Sequence, residues 1–373
     1  MKFKCSFLLI ITFCFSCSEL KQFPTFEIHI IDSIGNRLGQ TDLVDMDNDG
    51  DLDWVVGEAP WGNSQLWWWE YKDADNWIRH EIGKANSDVG GDCYDVNNDG
   101  WIDFWGGSVL FLNQKDGTFS KYEVGTIFSH DSQFADVDGD GKMDGIANSD
   151  KYGLVWYSIP DDPTQPWIEH MIQPIENHKI HGGVSPYPVG DLDGDGDNDV
   201  VTGLAWYENI DGKGLEWKEH KNINFGEEHK YGVALKTWVL DFDNDGDNDF
   251  VQAEADNPDS RVAWFENDGL ANFTRHIVKN KGDGQDFHSL VVADFDNDGD
   301  WDIYAGGGPL SSLPKKNYIW ENTGDNKWIE HIIGEVPCHE AVGGDVDGDG
   351  DIDICTKPWS TGNIHYFFEN KMK

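Results

Sequence analysis

Positive charge is the scarcest feature of this 373-residue chain. Against 70 Asp and Glu stand 27 Lys and Arg, for a formal net charge of −43. Such a surface repels a polyanion, which argues against nucleic acid as a partner. Arginine is limited to Arg37, Arg79, Arg261 and Arg275. Cysteine is nearly as sparse. Beyond Cys17 only Cys93, Cys338 and Cys355 remain, too few and too dispersed for a disulfide framework. Cys338, beside His339, reads as a buried free thiol, with metal ligation as the alternative. Long apolar runs are missing except for Phe7 to Phe15, which is too short to span a membrane. No Ser-His-Asp order, phosphate loop or Cys-pair zinc motif is evident.

That one run follows Lys2 and Lys4 and precedes Ser16-Cys17, the layout of an export leader. Ser16-Cys17 has the form of a bacterial lipoprotein cleavage site, with Cys17 as the lipidated residue; ordinary secretion is the alternative. Residues 1–16 therefore read as a signal peptide, 17–25 as lipidated Cys and tether, and 26–373 as one domain. The expectation is an exported protein, either an outer-membrane lipoprotein (periplasmic or surface-facing) or a secreted one. It would touch membrane only through the lipid.

What is abundant is acid at alternate positions. Asp345-Val346-Asp347-Gly348-Asp349-Gly350-Asp351-Ile352-Asp353 places carboxylates on every second residue, with Gly at the sixth place and Asp at the ninth. Alternate side chains in a tight turn point inward, and hard oxygen ligands at this count suit Ca²⁺. The stretch occurs seven times. The metal ligands read this way are Asp45, Asp47, Asp49 and Asp53; Asp95, Asn97, Asp99 and Asp103; Asp136, Asp138, Asp140 and Asp144; Asp191, Asp193, Asp195 and Asp199; Asp241, Asp243, Asp245 and Asp249; Asp294, Asp296, Asp298 and Asp302; and Asp345, Asp347, Asp349 and Asp353. Asn97 removes one charge from the second loop. Seven structural Ca²⁺ would return +14 and leave about −29.

The starts of the loops step by 50, 41, 55, 50, 53 and 51 residues. A period near 50 with β-rich content indicates propeller blades. The repeats also carry an aromatic-x-x-His strand, as in Trp77-Ile78-Arg79-His80 and Trp217-Lys218-Glu219-His220, with Phe119-Ser120-Lys121-Tyr122 as the counterpart in the second, after a third strand such as Trp206-Tyr207-Glu208-Asn209. That makes four strands per blade. The seventh repeat stops after Asn370 and lacks its outer strand, while an unassigned copy, Phe26-Glu27-Ile28-His29, stands at the front. The fold expected is all-β, a seven-bladed propeller of four-stranded blades closed by the N-terminal strand. Histidines 29, 80, 170, 220, 276 and 331 recur at one strand position, so they read as scaffold.

Chemistry should lie where the repeats differ. His130, His288 and His339 each stand six residues before the first Asp of a loop; His181 and His229 stand ten and twelve before. These places enter the innermost strand, on the face away from the acidic loops. Imidazoles converging at the mouth of a channel offer acid–base groups near neutral pH, or a site for Zn²⁺ or another divalent ion. His130, His181, His229, Tyr231, His288 and His339 are the catalytic candidates. Arg37, Trp61, Tyr187, Lys230, Arg261, Lys357 and Trp359 come from loops of the same face and are the substrate-binding candidates. Arg37 and Arg261 are the anion clamps available, and Trp61 and Trp359 offer faces for a sugar ring or for the core.

With its seven Asp-rich loops the chain resembles the FG-GAP/VCBS-repeat propellers, related in plan to the integrin α head, over residues 26–370. The resemblance implies the fold. Within that family, exported bacterial members with His-rich faces are similar to polysaccharide lyases of the ulvan and rhamnogalacturonan type, to aldos-2-ulose dehydratases, and to the oligosaccharide dehydratase of ulvan breakdown. This implies β-elimination of a C–O bond on a uronate-containing glycan, with an anionic poly- or oligosaccharide as partner and a monomer as the working unit. The alternative is a non-catalytic calcium propeller that binds glycan or protein.

Overall fold

A computed structural model describes residues 22–85, 89–175, 180–230 and 232–372, the side chain of Gln40 apart. The leader, Cys17, His178 and Tyr231 lie outside the described residues. No α-helix occurs among the described residues, whose strands form seven sheets arranged as blades. The first blade runs outward as Leu38–Val44, Asp53–Glu58, Gln65–Asp73 and Asn76–Lys84. In the seventh, Ala341–Gly344, Asp353–Thr356 and Ile364–Asn370 are joined on the outside by Phe26–Ser33, with Phe26 opposite Asn370.

The core is divided into seven clusters, one at each junction between neighbouring blades. Trp105 and Leu110 of the second blade pack on Val155 and Tyr157 of the third. Trp54, Val56 and Trp69 of the first blade pack on Val346, Cys355 and Phe367 of the seventh. A fully buried Trp such as Trp54 or Trp69 contributes about 5 kcal/mol of gross hydrophobic free energy. The apolar residues of the second and third strands therefore hold the ring together. The recurring histidines are scaffold of the outer edge. His80, His220 and His276 each stack on the Trp opposite them in the third strand, at 4.2, 4.1 and 4.6 Å. His80 and His276 also bond Glu70 and Glu266 at 2.9 and 2.6 Å.

Each acidic loop joins the first and second strands of its blade. The Gly at the sixth place has φ near +100° in the first loop, Gly50, a conformation that other side chains resist. In all seven loops the amide of this Gly donates to the first Asp, as Gly50 does to Asp45 at 3.1 Å. The ninth-place Asp is buried in every loop, and its Oδ2 accepts the amide of the second residue, as Asp53 does from Met46 at 2.9 Å. In six loops its Oδ1 accepts an amide from the end of the third strand, as Asp53 does from Tyr71 at 3.0 Å. Burial, helped by the neighbouring carboxylates of each loop, pushes Asp53, Asp302 and Asp353 up to about 8.

The third strand usually ends in Asn, which stitches blades together. Asn267 donates through Nδ2 to Leu192 O of the preceding blade at 2.7 Å and to Asn248 O of its own at 2.9 Å. Asn113, Asn209 and Asn370 repeat the pattern. Asn267→Ala removes both bonds, leaving Leu192 O with the Ala271 amide alone, and should cost about 2 kcal/mol in urea unfolding. Lys218→Ala, which breaks an exposed ion pair with Glu208, should stay within about 0.5 kcal/mol. Equal effects would contradict the stitching role.

Candidate functional site

The face opposite the acidic loops is where the blades stop resembling one another. The strand entering the fourth blade does not run straight into its sheet. Ile180–His181 and Pro186–Tyr187 pair in parallel with Val233–Leu240, the innermost strand of the fifth blade, before Val189–Gly190 joins the fourth. This detour carries His181 to the channel mouth and Tyr187 deeper. Tyr187 packs edge-on against Trp238 at 4.4 Å, and the carboxylates of Asp42 and Asp92 act on it. The residue is 52 % exposed, yet desolvation of its hydroxyl by the surrounding walls, followed by those two acids, raises it.

Four of the expected histidines meet at the mouth. The rings of His130 and His181 lie 4.1 Å apart, and those of His288 and His339 stack at 4.1 Å. Carboxylates separate them. His130 Nδ1 is 2.7 Å from Asp131 Oδ1. His181 Nδ1 is 2.5 Å from Asp150 Oδ2, and its Nε2 is 3.3 Å from Asp256 Oδ2. His288 faces Asp256 at 3.7 Å and Glu340 at 3.6 Å. Lys236, on the innermost strand of the fifth blade, holds Glu340 at 2.8 Å. Asp256 takes a left-handed backbone, φ 52°, so its approach to both His181 and His288 is held against local preference.

The charges act on one another across the channel. Burial would raise Asp131, but Lys236, His130 and His181 outweigh it and hold it far below the usual carboxylate range. Asp256 is held low against burial by His288, His181 and His130. Burial would lower His288, but Asp256 and Glu340 push it up to about 10. Burial, then His288, Lys357 and Lys236, drive His339 the other way, well below the ordinary imidazole value. Two stacked imidazoles are thus kept in opposite protonation states, the separation that acid–base sites require. Asp131, Asp150, Lys236 and Glu340 escaped the sequence reading, while Asp256 was visible only as an acid of the loop between the second and third strands. A signal existed for some of them: Asp131 and Glu340 directly follow His130 and His339, and Lys236 interrupts an otherwise apolar inner strand.

The other candidates fall elsewhere. The backbone of His229 pairs with Gly232 and its side chain acts on Glu227, away from these contacts. Lys230 is exposed beside it. Arg261, expected as an anion clamp, is bound by both oxygens of buried Glu254, so its charge is already matched. Lys357, expected to bind substrate, is fully buried and donates to Leu38 O and Gly39 O at 2.8 and 2.9 Å. Trp359 packs on His339 at 4.7 Å. Trp61 is 53 % exposed and meets Phe128 edge-on at 6.0 Å; the Lys151 amine lies 5.9 Å from the same Phe128 ring. Arg37 lies next to Leu38, whose amide donates to Trp359 O. No acid pairs with the Arg37 guanidinium among the described residues.

Two groups bear on metal. Oxygens of Asp45, Asp47 and Asp53, and of Asp136, Asp138 and Asp144, gather within 4.8 Å, as do Asp47, Asp49 and Glu70 of the third strand. The loop carboxylates suit a hard cation, while Glu70 is already held by Lys72 and His80 at 2.5 and 2.9 Å. His288, His339 and Glu340 also gather within 4.8 Å. There Lys236 occupies the carboxylate and His288 is held as imidazolium, so Zn²⁺ or another dication would have to displace both. The channel residues suit proton transfer better than metal. A groove of about 720 Å³ at the outer edge, between Gln22–Phe26 and Ile329–Ile333, is lined by the scaffold His331, its partner Glu321 at 2.6 Å, and Glu330.

Residues 241–305 match the FG-GAP-like repeat. The chain is a seven-bladed propeller that carries the FG-GAP-like repeat. Solved structures agree on the fold. A chain of the crystal structure of BBS1N in complex with ARL6DN is 9 % identical, with TM-score 0.56, covering 92 % of this chain and 94 % of that one. The Dos1 propeller is 10 % identical with TM-score 0.50, covering 91 % and 95 %. No curated sequence matches the chain.

In this propeller the His288 pairing has a pH signature. Its folded value near 10 exceeds an unfolded value of about 6.5. The pairing therefore stabilises fully below about pH 6.5, and the contribution is lost as pH rises through about 10. Urea unfolding should show the stability advantage of the wild type over His288→Gln shrinking across that window. A difference independent of pH would contradict the assignment.

Proposed function

We propose that the channel mouth is the active site of a carbohydrate-active enzyme. It would cleave a C–O bond by β-elimination beside the carboxylate of a uronate in a glycan such as ulvan, as a polysaccharide lyase or oligosaccharide dehydratase. The observation that carries this is the stacked pair His288 and His339, one held protonated and the other neutral. Elimination needs both. His339 takes the proton α to the carboxylate. The imidazolium of His288, with Lys236 behind it, faces the negative charge that develops on the carboxylate oxygens. The electron pair of the C–H bond becomes the new C=C bond as the C–O bond breaks. The leaving oxygen takes a proton from His181, the most exposed of the four, held between Asp150 and Asp256.

A panel of uronate-containing polysaccharides and their oligosaccharides tests this through the ultraviolet absorbance of the unsaturated product. Wild type should produce it, and His339→Ala and His181→Ala should each lose about 10²- to 10⁴-fold in kcat while keeping the wild-type circular dichroism. Absence of product across the panel sinks the elimination reading.

Trp61 supports a second reading. Exposed and set edge-on to Phe128 beside Lys151, it offers a sugar ring one face and an acid group one ammonium. A non-catalytic binder would show glycan affinity that falls with Trp61→Ala and no product.

We further infer that the acidic loops hold up to seven structural Ca²⁺, supported by their converging oxygens. Each ion would offset the carboxylates crowded in its loop and tie together the first two strands of a blade. Addition of a calcium chelator should lower Tm, and Ca²⁺ but not Na⁺ should restore it. A Tm unmoved by chelation contradicts this.

A further inference from the structure

We propose that Lys357 is a positioning residue for His339: its side-chain amine accepts a hydrogen bond from the protonated Nδ1 of His339 and so turns the bare Nε2 of that ring toward the channel. For its catalytic meaning this rests on His339 being the base; the tautomer itself does not.

The argument begins with the surroundings of the Lys357 nitrogen. The residue follows the strand Asp353–Thr356 and is 0 % exposed. Its Nζ lies 2.8 Å from Leu38 O, 2.9 Å from Gly39 O, 3.3 Å from His339 Nδ1 and 3.4 Å from His339 O. The other buried channel lysine, Lys236, has a carboxylate at 2.8 Å. Lys357 has none within ion-pair distance among the described residues. An ammonium buried without a counter-ion costs several kcal/mol, so the neutral amine is the stable form. Burial accordingly pushes Lys357 down to about 7.

Hydrogen-bond arithmetic then fixes the imidazole. A neutral amine has two N–H groups and one lone pair. Leu38 O and Gly39 O can only accept and lie about 0.5 Å nearer than His339 O, so they take the two N–H groups. The lone pair is left for His339 Nδ1, which must then carry the ring's single proton. Nε2 is bare, as a base requires. The ring has little freedom to turn over, because His288 stacks on it at 4.1 Å and Trp359 packs on it at 4.7 Å. Leu38 and Gly39 belong to the first blade and His339 to the seventh, so the seam between these blades sets the polarity of the base.

Protonation reverses the arrangement. Ammonium has no lone pair, so Nδ1 must accept and the proton moves to Nε2, where it blocks the base. The groups acting on Lys357 are Glu340 and Cys338, which favour its charge, and Lys236, which opposes it. His339 and His365 also feel its charge, and burial keeps both of them low.

The test uses the whole chain with ¹⁵N-labelled histidine and long-range ¹H–¹⁵N correlation, with His339→Gln to assign the signal. Above about pH 7 His339 should show a protonated Nδ1 and a bare Nε2. Below it the proton should sit on Nε2, and Lys357→Met should abolish the switch. A proton on Nε2 at every pH, or an unchanged switch in Lys357→Met, overturns the proposal. Should Lys357→Met fail to fold, the wild-type titration alone decides. If the tautomer switches and no uronate is eliminated, the lyase reading falls and the positioning role stands. If both hold, kcat should fall below about pH 7 with KM unchanged.

Discussion

The carboxylate that closes each acidic loop, Asp53 in the first blade, is buried between two strands and accepts an amide from its own loop and, in six of the seven, another from the end of the third strand. Placing an acid there is costly unless it is hydrogen-bonded. Once bonded, it fixes the first three strands of a blade relative to one another. The Asn at the end of the third strand carries the constraint into the preceding blade. Hydrophobic clusters between blades supply most of the cohesion, and the buried polar groups supply register. One face of the ring is thereby made uniform and stiff.

Uniformity on that face leaves the opposite one free to vary. The strand entering the fourth blade is drawn sideways onto the fifth, Asp256 takes a left-handed backbone, and charged residues stand where a scaffold would need none. Buried charges add little stability compared with apolar packing of the same volume. The alternation of imidazole, carboxylate and ammonium from His130 to Glu340 is thus hard to explain as scaffold. Its effect is to drive His288 and His339 to opposite protonation states at van der Waals separation.

The repeat was legible because its physics is local. Acids at alternate places with Gly at the sixth force one kind of turn, and seven such turns in register leave few folds. The histidines before the first Asp were legible for the same reason, since counting back from a fixed turn locates the start of a strand. His229 was misplaced because its longer entering loop breaks that count and brings it against Gly232. Arg261 and Lys357 were misjudged because their partners, Glu254 and the carbonyls of Leu38 and Gly39, are near only once the blades have formed. Asp256 stood out only as an acid of a loop on the varied face, near Arg261. Its role depends on a backbone conformation and on two histidines from other blades.

A structure of the protein with a bound uronate oligosaccharide tests the central claim most directly. The account predicts the sugar at the channel mouth, one ring reaching between His181 and His339 and its carboxylate facing His288, with Trp61 or Trp359 against a ring face. A glycan bound on the acidic-loop face or along the outer strands, with the channel mouth free of sugar, would contradict it.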